Sequence, residues 1–155
     1  MRFWHQPRPY QNGRSFAPPL VSAFGPENFV ALYASAGVLS SLGGLLHKLA
    51  TNCTLPSLGA SGALMFLVSC TAQLWPKAVF GVVLLPGVTL EAQQALLGVV
   101  CLDLVGLLLG WRALDHAAHL AGTALGVLLV NGGGFALLAA AQSRVLREWR
   151  SLRRA

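Results

Sequence analysis

The chain has 155 residues, 55% of them hydrophobic and only 10% charged, with a formal net charge of +6. A soluble domain of this size keeps roughly a quarter of its residues charged, so a mean hydropathy of +0.62 excludes an ordinary water-soluble enzyme and points to the membrane. The basic excess gathers at the ends, as Arg2, Arg8 and Arg14 and as Arg144, Arg147, Arg150, Arg153 and Arg154, which reads as membrane-flanking charge and not as a nucleic-acid surface.

Residues 1–27 read as an irregular, basic lead containing Pro7, Pro9, Pro18, Pro19 and Pro26. No secretory signal is visible in it, and its prolines argue against an amphipathic presequence helix. Pro26 and Glu27 then form a helix start, with acid in the first turn. Residues 29–46 carry no charge and span about 27 Å as a helix, close to the roughly 30 Å hydrocarbon core. His47 and Lys48 end this first predicted span, and Ser35, Gly37, Ser41, Gly43 and Gly44 make it a helix to be packed against.

A polar connection over residues 49–57 leads to a second predicted span, residues 58–75, closed by Trp75, Pro76 and Lys77 at an interface. Residues 78–90 are too short to cross, and Pro86-Gly87 interrupts them. They are expected to form a compact helical piece up to Leu85 followed by a turn. The third predicted span, residues 95–111, is apolar except for Asp103, and an acid at such depth is a functional candidate or an intramembrane polar contact.

After a polar joint at residues 112–116, the last span runs over residues 117–140. Gly122 and Gly126 stand in GxxxG spacing, and Gly132 to Gly134 can loosen its far end. Gly106 and Gly110 are further small positions for helix packing. Four spans place Lys77 and both basic ends on one side and leave only Lys48 and Arg112 on the other, so the first side is cytosol-like or matrix-like. Ser61 and His119 then begin their helices on the same, charge-poor side.

Cys53, Cys70 and Cys101 are widely spaced and form neither a disulfide framework nor a zinc knuckle. A serine in a membrane helix is ordinarily a packing or backbone-bonding residue. Its shared depth with His119 opens a second reading, in which the imidazole takes the Ser61 proton as the oxygen attacks a peptide carbonyl. His116 is expected at the surface or in a hydrogen bond. His116-x-x-His119 would also suit two metal ligands, but no third accompanies them along the sequence, so no metal is expected.

Gly59-Ala60-Ser61-Gly62 resembles the G-x-S-G motif of the rhomboid intramembrane serine proteases, and Ala118-His119-Leu120-Ala121-Gly122 with Gly126 resembles their A-H-x-x-G-x-x-x-G helix. The likeness covers residues 24–155 and lies with the mitochondrial inner-membrane branch. It implies an all-α, polytopic helical bundle whose four transmembrane helices match the third to sixth core helices.

Residues 1–23 would be a divergent lead, 24–141 a partial rhomboid-like domain and 142–155 a basic tail. The resemblance further implies Ser61 as nucleophile, His119 as general base, and Gly59, Ala60 and Gly62 beside the oxyanion and substrate backbone. No cofactor is implied.

The implied partners are transmembrane protein substrates, the lipid bilayer and a full-length homologue, with no nucleic acid. The second core helix, with its His and Asn oxyanion donors, and the long first loop have no counterpart here, and neither His5 nor Asn12 matches them. Two functions are therefore expected of a shortened chain: an intramembrane endopeptidase, or a catalytically inactive form that binds or regulates membrane helices.

Overall fold

The computed structural model describes residues 17–53, 60–81, 89–111 and 114–134, with residues 140 and 144. Among the described residues five helices and one small hairpin follow in chain order. They are α1 (Ala17–Phe24), α2 (Pro26–Thr51), α3 (Ala60–Leu74), β1 (Val79–Gly81), β2 (Thr89–Glu91), α4 (Ala92–Leu108) and α5 (His116–Asn131).

The expected irregular lead contains a helix. In α1 the consecutive prolines Pro18 and Pro19 occupy the first turn, where a missing N–H removes no intrahelical bond. Gly25, at φ 82, breaks the chain between α1 and α2, and Pro26 opens α2. This helix runs past His47 and Lys48 to Thr51, beyond the expected end. It stops where Asn52 turns left-handed at φ 52 and passes its N–H back to Lys48 O, a conformation that asparagine tolerates.

Residues 78–90 are the clearest departure from expectation. Instead of a helical piece, Val79–Gly81 is extended and pairs antiparallel with Thr89–Glu91, in the register Val79↔Glu91, Phe80↔Leu90 and Gly81↔Thr89. Valine and phenylalanine favour a pleated backbone, and the pairing satisfies N–H and C=O groups as a helix would have done. The Pro86-Gly87 interruption lies outside the described residues. Glu91 then leads into α4, its N–H donating to Gln94 Oε1 at 3.4 Å.

α5 is the helix against which the others assemble, packing most closely on α3, then on α2 and α4. α3 and α5 run parallel and almost touch backbone to backbone. A Cβ on Gly122 would collide with Gly62 O, and one on Gly126 would stand 2.8 Å from Phe66 O and 2.7 Å from Ser69 Cβ. The Ser69 hydroxyl uses that proximity to donate to Thr123 O at 2.9 Å.

α2 crosses the same pair antiparallel to α5. Ser40 lies against Gly62, and a Cβ on Gly43 would stand 2.7 Å from Ala121 Cβ. At the other end of the bundle Leu20, Phe24, Ala36, Phe66, Leu67 and Cys70 form the main apolar cluster, so α1 plugs the end away from Ser61.

The architecture is an all-helical bundle apart from the hairpin. Among the described residues α2 is the one helix long and apolar enough to cross a membrane by length and composition, and α3, α4 and α5 are shorter apolar helices. The four-span count is therefore not met by helix length. α5 stops at Asn131, short of the expected residue 140, where the glycines turn the chain with Gly133 at φ 76. Gly110 is not a packing glycine: it lies in the turn after α4 at φ 66 with open space where a Cβ would stand.

The close α3–α5 crossing predicts opposite outcomes for two glycine-to-alanine changes. Gly122→Ala forces a methyl into a carbonyl and lowers unfolding stability in detergent by about 2–3 kcal/mol, the range of an overpacked interior. Gly98→Ala meets nothing within 4 Å, and its better helix propensity leaves stability unchanged or raised by up to ~1 kcal/mol. Equilibrium unfolding followed by circular dichroism distinguishes the two.

Candidate functional site

What orients the two histidines of α5 begins one residue before the helix. Asp115 caps it, Oδ1 accepting from the Ala118 N–H at 3.2 Å, while Oδ2 lies 2.8 Å from Lys48 Nζ near the end of α2. A carboxylate at a helix start is favoured by the helix dipole. Gly44 makes the room, since a Cβ there would stand 2.8 Å from Asp115 Oδ2.

From this anchored start His116 and His119, three residues apart, project from one face of the helix. Opposite them α4 brings Asp103, five residues before its own last residue. His116 Nδ1 lies 2.7 Å from Asp103 Oδ1, and His119 Nδ1 lies 3.0 Å from the same oxygen. All three side chains are buried, with residue exposures of 1% for Asp103, 4% for His116 and 6% for His119.

With both Nδ1 atoms protonated, one carboxylate oxygen accepts from two imidazoles, and each neutral ring keeps an acceptor at Nε2. Two polar atoms of the group have no hydrogen-bond partner among the described residues: Asp103 Oδ2 and His116 Nε2. The His116 ring rests on Gly106, where a Cβ would collide with Nε2. The Trp111 ring stands 6.3 Å from it on the outer side.

This arrangement overturns the expected serine-protease dyad. Ser61 is half-buried in the first turn of α3, at the same end of the bundle as His119, as expected from their shared side. But His119 is not the base of a two-membered pair. Its Nδ1 is bound to a carboxylate that a second imidazole also holds, in a buried Asp–His–His cluster whose ligand-competent atoms lie within 4.8 Å of one another.

In a serine protease the acid serves one imidazole, fixing its tautomer and stabilising the imidazolium as it forms. Asp103 divides Oδ1 between two rings. The cluster resembles a set of metal donors, and this sharing of one oxygen argues against active serine-protease chemistry.

The remaining expected site residues fall in different places. Ala60 is exposed and Gly62 is buried at the α3–α5 crossing, while Gly59 lies outside the described residues. Gly106, Gly122 and Gly126 each sit where a side chain would meet a neighbouring helix. His116, expected at a surface or in a hydrogen bond, is buried and hydrogen-bonded. Asp103, expected as a possible intramembrane contact, is the centre of the cluster.

The third candidate donor, missing along the sequence, lies on the preceding helix, and helix arithmetic carries the signal. Asp103 lies about 7.5 Å before the end of α4, and His119 about 4.5 Å after the start of α5, at 1.5 Å per residue. A short joint between antiparallel helices therefore brings them to nearly the same depth.

The sequence model of the Rhomboid domain matches residues 14–134. The chain is 42% identical over 139 residues to presenilin-associated rhomboid-like protein A, mitochondrial, of Danio rerio, covering 90% of this chain and 36% of that one. It is 40% identical over 119 residues to the presenilin-associated rhomboid-like protein, mitochondrial, of Homo sapiens, covering 77% and 31%. It is also 38% identical over 128 residues to rhomboid protein 1, mitochondrial, of Saccharomyces cerevisiae, covering 81% and 37%. The chain spans about a third of the length of these relatives. No solved structure matches it.

The shared oxygen makes Asp103 the most sensitive position of the cluster. Asp103→Ala leaves two buried imidazoles without their shared partner and lowers stability by about 2–6 kcal/mol, at roughly 1–3 kcal/mol for each orphaned group. Asp103→Asn keeps an acceptor oxygen and loses less than half as much. Chemical unfolding of both variants in the same detergent gives the comparison.

Proposed function

Since the chain belongs to the rhomboid family of membrane proteins, we propose that it is a membrane-helix binding, regulatory member of that family, residing in a mitochondrial membrane and lacking Ser–His proteolysis. The observation that carries this reading is the capture of His119 by Asp103 together with His116. What is kept is the scaffold, with its close small-residue crossings.

In this proposal α2 spans the bilayer, and α3, α4 and α5 complete a multi-pass bundle around α5. The mitochondrial setting follows the relatives, whose names carry that location. The surface offered to partners is the outer side of α2. Only 17% of its apolar window is buried, and Val38, Leu42, Leu45 and Leu49 stand exposed along it. Partners are single membrane-spanning helices, including those of longer rhomboid homologues, held by side-chain packing in lipid.

The test is reconstitution in lipid nanodiscs with a single-span membrane peptide carrying a photo-crosslinker. Crosslinking is expected to be unchanged within about twofold by Ser61→Ala, because a 0.4 kcal/mol difference is about that factor. It is expected to fall by an order of magnitude in Val38→Arg/Leu42→Arg, which places charge in a hydrocarbon-facing contact. A serine-directed fluorophosphonate probe should leave the protein unlabelled. Labelling or peptide cleavage that disappears in Ser61→Ala would overturn the proposal.

A further inference from the structure

We propose that Asp103, His116 and His119 form a binding site for one divalent transition-metal ion, zinc in the first instance, that fastens α4 to α5. The inference goes beyond the helix-binding role, rests on the same buried cluster, and concerns what that cluster is for.

The donor set carries the first part. Two imidazole nitrogens and one carboxylate oxygen are the ligand types and the number that zinc takes from protein when a fourth position is left to another donor. Calcium and magnesium prefer all-oxygen surroundings and are disfavoured by two imidazoles. The three ligand-competent atoms already lie within 4.8 Å of one another, on two helices whose relative position is fixed by packing.

Distances carry the second part. Around a tetrahedral ion with bonds of about 2.0–2.1 Å, neighbouring ligand atoms stand about 3.3–3.4 Å apart. The Nδ1–Oδ1 separations of 2.7 and 3.0 Å need to open by only roughly half an ångström, which small side-chain torsions supply. The ion then occupies the place of the two hydrogen-bonding protons. Each ring moves its proton from Nδ1 to Nε2 and presents a lone pair to the metal, so neutral histidine is retained and no oxidant or reductant is involved.

Burial carries the third part. The Asp103 carboxyl is 1% exposed, and a carboxyl so enclosed needs partners for both of its oxygens. One of its oxygens, Oδ2, has no hydrogen-bond partner among the described residues. A dication offsets the charge and gives that second oxygen a cation to face.

The surroundings hold the ligands ready. Asp115 fixes the first turn of α5, Lys48 fixes Asp115, and Gly106 lets the His116 ring lie flat on α4. The buried Thr123 hydroxyl, also without a partner among the described residues, is one turn beyond His119 on the same helix.

The test uses the full chain, purified through a chelator, in lipid nanodiscs. Zinc is expected to bind at one ion per chain by mass spectrometry of the metal content, and Co(II) to give the visible bands of a tetrahedral site. His116→Gln, His119→Gln and Asp103→Asn should each weaken Co(II) binding by more than about 100-fold, the upper end of what loss of a mere supporting partner produces. His47→Gln, a histidine of α2 outside the three-residue cluster, should leave it unchanged.

As a guard against variants that simply misfold, His119→Cys keeps a ligand and should retain the ion with a new thiolate-to-cobalt charge-transfer band. Failure of the folded parent chain to bind either ion, or binding that survives in Asp103→Asn/His116→Gln, would overturn the site.

Discussion

A single buried carboxylate oxygen, Oδ1 of Asp103, sets the arrangement of one whole side of this molecule. Two imidazoles converge on it from α5, and none of the three side chains has open water to fall back on. The depth of α4 relative to α5, the rotation of each helix about its axis and the length of the joint between them must all satisfy this one atom. A polar contact in such surroundings is directional where apolar packing is not. It defines a register that a stripe of leucines would leave free to slide.

The other side of α5 is governed by shape. Gly62, Gly122 and Gly126 let two helix backbones approach until carbonyls stand where side chains would otherwise be. The Ser69 hydroxyl then bridges the gap, donating to the Thr123 backbone carbonyl. In a membrane, where lipid tails are as apolar as leucine, contact area from small residues and such hydrogen bonds replace the hydrophobic effect as the associating force. α5 is therefore held polar on one flank and steric on the other.

Much of this was legible in the residues. The helix start at Pro26, a weak point at Gly132 to Gly134 and the common end of the bundle for the first turn of α3 and His119 follow from local chemistry and from charge placement. The family was legible in two short motifs. What misled was treating the histidine as the partner of the one serine that the motif named. Asp103 stands apart from the His116-x-x-His119 pair in the sequence, because a sequence displays neighbours along the chain and this cluster is made between two helices.

The hairpin was missed for a different reason. Val79–Gly81 belongs to an apolar run that length alone cannot assign to helix or strand, and only its pairing with Thr89–Glu91 decides the matter. The short α1 was hidden by Pro18 and Pro19, which block a helix interior but fit its first turn.

The bond from Ser69 to Thr123 spans 54 residues of sequence, and this has a consequence for biogenesis. Chains are made from the N-terminus, so α3 and Asp103 both emerge before the helix that completes them. During that interval α3 lacks the neighbour its glycines are shaped for, and a carboxylate waits in α4 for rings not yet synthesised. The last helix acts as a keystone, and the earlier ones are provisional until it arrives. A ribosome that stalls after α4 would leave a half-matched bundle whose buried carboxyl has no imidazole to face, a recognisable substrate for membrane quality control.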